Sequence, residues 1–205
     1  VLFIKKRYSN YLLPSCETLI DGRILKVLKT GFLTGTIVLP QFLVGFIKEQ
    51  ASLVSGDVPM RRGDMVIDTI MKEESYNYII DSTNPKDLEG INRKIVKLAV
   101  LKNYRLLTIE DELEPFTKIV GVEVLRLKEL GMALKQVFFK GDILRVKPLK
   151  RGRYSGEGIG YLDDNSTVVI EGASTSLGMV IRCEVISILD LPTGRVIFTK
   201  ILEKK

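Results

Sequence analysis

Up to about Leu134, short apolar runs alternate with stretches in which apolar residues recur at helical spacing. Tyr8 to Leu13 reads as an extended run that Pro14 stops. GTIVLP (Gly35 to Pro40) is a β-rich run closed by proline, and PQFLVGFIKEQASLV behind it has helical spacing. VSGDVPMRRG reads as a loop rich in glycine, proline and charge. RRGDMVIDTIMKEES resumes a helix, with Met65, Ile67, Ile70 and Met71 apolar. YNYIID predicts a strand. NRKIVKLAVLKN predicts a helix with Ile95, Leu98, Ala99 and Leu101 on one face and Lys94 and Lys97 elsewhere. YRLLTI and GVEVLRL are strands again. This alternation predicts an α/β domain, a parallel sheet with helices on both faces.

After Lys140 the period changes. GDILRVKPL, GIGYLDD, TVVIEGA, GMVIRCEVISIL and GRVIFTKIL are all strand-like, and glycines and Asp-Asn turns break them at short intervals. A small all-β barrel is expected. The boundary falls around KQVFFKGD, giving an N-terminal tail over 1–10, an α/β domain over 11–135 and a barrel over 140–205.

Composition narrows the chemistry. The chain has 205 residues, 45% hydrophobic and 27% charged, with a net charge of +6 and no histidine. The positive balance favours nucleic acid or an anionic membrane as partner. Without histidine there is no Ser-His-Asp or Cys-His relay, and most zinc sites are excluded. Cys16 and Cys183 lie far apart and form no CxxC pair, so neither a disulfide framework nor a thiolate cluster is expected. Any chemistry would fall to carboxylates, lysine or tyrosine with a hard, oxygen-liking ion such as Mg²⁺. No apolar run is long enough to span a bilayer as a helix. The start, VLFIKKRYSN, reads as a ragged or processed terminus. The competing reading is the cytosolic flank of a membrane anchor upstream of Val1.

The order and spacing of particular motifs point further. IDGR followed by KTGF, then VLPQF, RRG, KIVKLA, LLT and GVEVL precede GEGIGYLDD, VVIEGA, GMVI and GRVIFTK. Together they resemble the bacterial and plastid PIN/TRAM family. That resemblance implies a PIN sheet followed by an OB-like TRAM barrel that binds RNA, in the bacterial cytoplasm or the plastid stroma. PIN nucleases are similar in having four acids at the carboxyl edge of the sheet, which hold divalent metal and activate water. At the matching positions stand Ser15, Gly45, Asn92 and Glu110, so three of the four acids are missing. Mg²⁺ needs one or two carboxylates to offset its dehydration. The cleft is therefore read as degenerate, with no catalytic residue and no cofactor expected. A rearranged site would recruit Glu17, Asp21 and Asp111 beside Glu110, with Mg²⁺ or Mn²⁺ as its metal. Against it, Asp21 is a favoured N-cap for a helix starting at Gly22, and EDELE suits an acidic first helical turn.

In the barrel, VKPLKRGRYSGEGIGY is the informative stretch. Lys147, Lys150, Arg151 and Arg153 cluster in and beside a turn, with Tyr154 next and Tyr161 on the following strand. Cations on a loop neutralise phosphates, and aromatics on a strand face stack bases. Gly156, Gly158 and Gly160 let a backbone approach closely or mark bulges that close the barrel. Arg182, Arg195, Phe198 and Lys200 on later strands extend the surface. No repeated base-reading module is present, so recognition of RNA shape or backbone is expected, in ribosomal RNA or a large complex, and no small-molecule substrate. The expected function is a non-catalytic RNA-binding pseudonuclease. A metal-dependent ribonuclease and a protein-docking subunit are the alternatives.

Overall fold

Strands covered on both faces have no polar side, and LLP, IVLP and LLT are of this kind: Leu12 to Pro14, Ile37 to Pro40 and Leu106 to Thr108 are all buried. They belong to β1 (Tyr11–Pro14), β2 (Thr36–Pro40) and β4 (Arg105–Thr108), the centre of a five-stranded sheet. Its edges are β3 (Tyr78–Asp81) and β5 (Val124–Arg126), the order is β3-β2-β1-β4-β5, and every pair is parallel. The structure, a computed structural model, describes residues 9–53, 58–109, 113, 121–191 and 194–202. It divides into two units, Val1–Met132 and Ala133–Lys205.

In the first unit the connections are helical: α1 (Cys16–Asp21), α2 (Arg23–Lys29), α3 (Gln41–Ser52), α4 (Val58–Lys72), α5 (Ile91–Lys102) and α6 (Leu127–Ala133). Leu19, Ile24, Leu43, Ile47, Ile67, Ile70, Ile95 and Leu98 pack on the sheet and form one core. Several sequence expectations are corrected here. The loop expected up to Gly63 is helical from Val58, because Pro59 sits in the first turn, where its missing N–H has no partner to lose. The buried face of α4 takes only part of its apolar set. Gly63, Val66, Ile67 and Ile70 are buried, while Met65 and Met71 are exposed. In α5, Val96 is buried and Leu101 is exposed. No helix starts at Gly22. That glycine, at φ 80°, ends α1 and opens α2, a left-handed turn that favours its lack of a side chain. The GVEVLRL strand is short and gives way to α6 at Leu127. Tyr8 lies outside the described residues, and Pro14 closes β1 from within.

The second unit holds β6 (Ile143–Val146), β7 (Lys150–Arg151), β8 (Gly158–Tyr161), β9 (Thr167–Glu171), β10 (Ile181–Leu191) and β11 (Gly194–Ile201). The sheet order is β6-β10-β11-β9-β8-β7. Only β9 and β11 are parallel. The two edges, β6 and β7, are joined by residues 147–149. That connector reaches at most about 14 Å, whereas six flat strands would be about 24 Å wide. The sheet must therefore roll, with the segment 143–151 bridging its two edges. Gly160 is what lets that segment cross: a Cβ there would lie 2.5 Å from Val146 Cγ1 and 2.9 Å from the Lys147 carbonyl oxygen. Leu144, Val146, Val168, Ile170, Cys183, Val185 and Ile197 fill the interior. The expected class, a PIN-like parallel sheet followed by a small OB-like barrel, is met in both parts.

Candidate functional site

The acids of a PIN cleft would converge where β1 runs into α1. Ser15 stands there, fully buried. Its backbone N–H donates to the Leu107 carbonyl at 2.9 Å, which ties β1 to β4. Its hydroxyl oxygen accepts the Thr18 N–H at 3.2 Å and lies 2.9 Å from the Thr18 hydroxyl. Ser15 is thus the N-cap of α1, one of the favoured residues for that role and a neutral one. Gly45 lies on the exposed side of α3, and a Cβ built there meets nothing within 4 Å. Asn92, half-buried, is the second residue of α5.

Of the three, Asn92 lines a cleft of about 560 Å³ together with Cys16, Ile20, Phe46, Met60 and Ile91, with Glu17 and Glu89 as its carboxylates and Arg93 beside them. The lining is mainly apolar. Burial, with a smaller contribution from Glu17, pushes the Cys16 thiol up to about 12, so it is no nucleophile at neutral pH. Asp21 is not available either. The Arg23 guanidinium grips both its oxygens, at 2.7 and 3.0 Å, and the Arg23 N–H donates to it at 3.2 Å. Asp21 therefore closes the first turn of α2 from the end of α1, one position away from the N-cap expected. Among the described residues no group of three His, Cys, Asp or Glu is placed to hold a metal ion. Glu110 and Asp111 lie outside the described residues. As described, the cleft does not fit a divalent metal held by converging carboxylates.

The barrel presents a different surface. Strand register sets Lys150 opposite Ile159, Ile159 opposite Val169 and Val169 opposite Phe198, and side chains in such a row share one face. Tyr161, two residues beyond Ile159, is on that face as well. The Lys150 ammonium lies 5.7 Å from the centre of the Tyr161 ring, within cation–π range. Tyr161 and Phe198 are 44% and 37% exposed, enough for one ring face of each to meet a base. Arg151 at the end of β7, and Arg153 and Tyr154 on the turn between β7 and β8, are exposed. Glu157 organises that turn. Its carboxylate accepts the Tyr154 N–H at 3.0 Å, so the acid faces inward and the cations outward. Lys147 and Arg182 are exposed too.

Two of the expected cations are engaged within the fold. Arg195, its side chain 11% exposed, donates to Asp190 at 2.6 Å and to the Gln136 carbonyl. Lys200 pairs with Glu184 at 3.3 Å. The Asp190–Arg195 pair had a signal in the sequence. The two residues stand on either side of the sequence Leu-Pro-Thr-Gly, a turn signal, and the antiparallel register sets Asp190 opposite Arg195. Sequence reasoning missed Arg145. It is exposed on β6, directly opposite Arg182 on β10.

This architecture, a parallel α/β unit with a cleft at its carboxyl edge followed by an OB-like barrel, is that of the PIN and TRAM-domain proteins. Known proteins agree. The chain is 34% identical over 194 residues to the uncharacterized PIN and TRAM-domain containing protein YacL of Bacillus subtilis, covering 92% of this chain and 52% of that one. It is 32% identical over 184 residues to a PIN and TRAM-domain containing protein of a Synechocystis strain, covering 89% and 51%. The chain is similar to PIN and TRAM-domain containing proteins over about nine tenths of its own length, and it spans about half the length of these relatives. No protein-family model matches it. In fold alone it is similar to a domain of a functionally unknown protein from Methanocaldococcus jannaschii, with a TM-score of 0.52 at 22% identity over 64% of this chain and 99% of that one. Among the described residues no helix is long and apolar enough to cross a membrane.

Proposed function

We propose that this protein binds RNA without cleaving it, the barrel supplying the binding face and the PIN unit serving as a scaffold. The observation that carries the reading is the outward row of the barrel, with Lys150 held over the Tyr161 ring and Phe198 two strands away on the same face. Lysine and aromatics so arranged suit a phosphate backbone and unstacked bases, and they read no sequence. A neutral cap at Ser15, no side chain at Gly45 and the Arg23 clasp on Asp21 support a non-catalytic PIN unit. The partner proposed is structured or single-stranded RNA, ribosomal RNA included, met in the bacterial cytoplasm or plastid stroma.

The test is an anisotropy titration of a short labelled RNA at several salt concentrations. Neutralising Lys150, Arg151 and Arg153 together should flatten the plot of log K against log salt by about 2, since each phosphate contact on a single strand contributes about 0.7. Tyr161→Ala should weaken binding by about 1–3 kcal/mol with the slope kept, because stacking carries little salt dependence. An unchanged slope in the triple variant would favour docking on acidic protein instead. RNA cleavage in Mg²⁺ or Mn²⁺ that disappears in Glu110→Ala would restore the nuclease reading.

A further inference from the structure

β6 and β10 put two arginines face to face. In their antiparallel register Arg145 is the direct partner of Arg182, with Leu144 opposite Cys183 and Ile143 opposite Glu184. Directly opposed residues have Cα atoms about 4.5–5.5 Å apart and side chains on the same face. Leu144, Val146, Ile181 and Cys183 are buried and Arg145 and Arg182 exposed, so that face is the outer one. Like charges in direct opposition on a sheet are unfavourable. Here the neighbouring carboxylate on the face, Glu184, is engaged by Lys200 at 3.3 Å. Among the described residues neither arginine has an ion-pair partner. Two residues beyond Arg145, in the connector that follows β6, is exposed Lys147.

We infer that Arg145 and Arg182 form a phosphate clamp for a single RNA strand, a second anchor point apart from the turn at Lys150 to Arg153. Each planar guanidinium offers a fork of donors, and two forks rising from adjacent strands can hold one phosphate between them. The segment 143–151, β6 with its connector and β7, then carries Arg145, Lys147 and Lys150 in succession, from the arginine pair to the Tyr161 ring. A strand of RNA laid along it would give its backbone to the cations and its bases to Tyr161 and Phe198. The phosphate relieves the repulsion that the free protein retains, so the clamp contributes to binding and opposes stability of the unbound fold. The inference rests on the RNA reading above.

The experiment uses the full 205-residue chain and a short labelled single-stranded RNA of mixed sequence, with urea unfolding run in parallel on the free protein. Arg145→Gln and Arg182→Gln together should flatten the salt slope by about 1.4, two contacts at about 0.7 each. Each single change should raise the urea midpoint of the free protein. Arg145→Glu, which turns the pair into one of opposite charge, should raise the midpoint most and weaken RNA binding most. A merely structural role would move stability and binding down together. If the parent binds RNA and the Lys150, Arg151, Arg153 variant loses slope while the arginine variants keep theirs, the clamp is wrong and the RNA reading stands. If the parent binds no RNA, both fall. Sedimentation with phosphatidylserine vesicles that depends on the pair, in a protein that ignores RNA, would likewise overturn the inference in favour of a membrane surface.

Discussion

At the carboxyl edge of the parallel sheet, the Ser15 hydroxyl is fully buried against Thr18 and the Asp21 carboxylate is clasped by Arg23. On the outer face of the barrel, Arg145, Lys147 and Arg182 stand exposed with no carboxylate partner among the described residues. In one chain, polar groups at a ligand-binding edge have turned inward to stabilise the fold, while cations on a strand face remain turned to solvent. Buried polar groups are satisfied because leaving them unmade is costly. Exposed like charges persist at small cost. The glycines divide the same way. Gly45 has open space around it and Gly160 has none. An empty position tolerates change, whereas a crowded one is required by the fold.

The strongest test of that division is Gly160→Ala. Its new Cβ would lie 2.9 Å from a backbone oxygen, the Lys147 carbonyl, which cannot move without shifting the segment that bridges the two edges of the sheet. We expect a loss of about 3 kcal/mol, the upper part of the range for overpacked sites, read as a drop in urea midpoint. A fall of only a few tenths would mean that the bend is not held closed at this glycine.

Next in size is the repair of the cleft, Ser15→Asp with Gly45→Glu and Asn92→Asp. Aspartate keeps the cap of α1, and the space beside Gly45 admits a side chain. Without metal the variant should be less stable at neutral pH, since like charges are brought together. With Mn²⁺ at about a hundredfold above its Kd it should regain about 2.7 kcal/mol. Calorimetry on parent and variant reads both. No metal binding above that of the parent would show that these positions do not converge.

How much of this was legible beforehand follows from the range of each interaction. Period and turn residues are local, so the α/β alternation and the β-rich end could be read from the sequence. Pro59 and Gly63 misled because both suit a loop, yet one fits a first helical turn and the other lets α4 close on Ile47 and Ile20. Met65 and Met71 misled because methionine is apolar whether or not a helix face is covered. Ser15, Gly45 and Asn92 could be picked out by resemblance, but not that Ser15 caps a helix. The pairing of Arg145 with Arg182 spans strands far apart in sequence, and no local pattern announces it.

The smallest expected effect tests the inward turn of the cleft through its charge. Arg23, hydrogen-bonded to Asp21, holds that carboxyl below the usual carboxylate range; burial opposes this, and the Arg23 N–H and the nearby Arg62 add to it. A carboxyl lowered on folding stabilises the fold above its unfolded pKa of about 3.9, and the contribution is lost as pH falls through the lower folded value. Asp21→Asn keeps an oxygen for the Arg23 N–H and Nε, and removes the charge together with the acceptor of the Arg23 Nη2 bond. The ion pair is partly open to solvent, with side chains 65% and 26% exposed, which places its worth with surface pairs. Near pH 7 we expect the variant to be about 0.5 kcal/mol less stable than the parent. The gap should close as pH falls below the unfolded value and through the lower folded one, where the parent carboxyl is itself protonated. Urea titrations at a series of pH values check this. A gap of constant size down to the lowest pH would mean that Asp21 acts through shape alone, and the clasp would no longer explain why this acid stays out of the cleft.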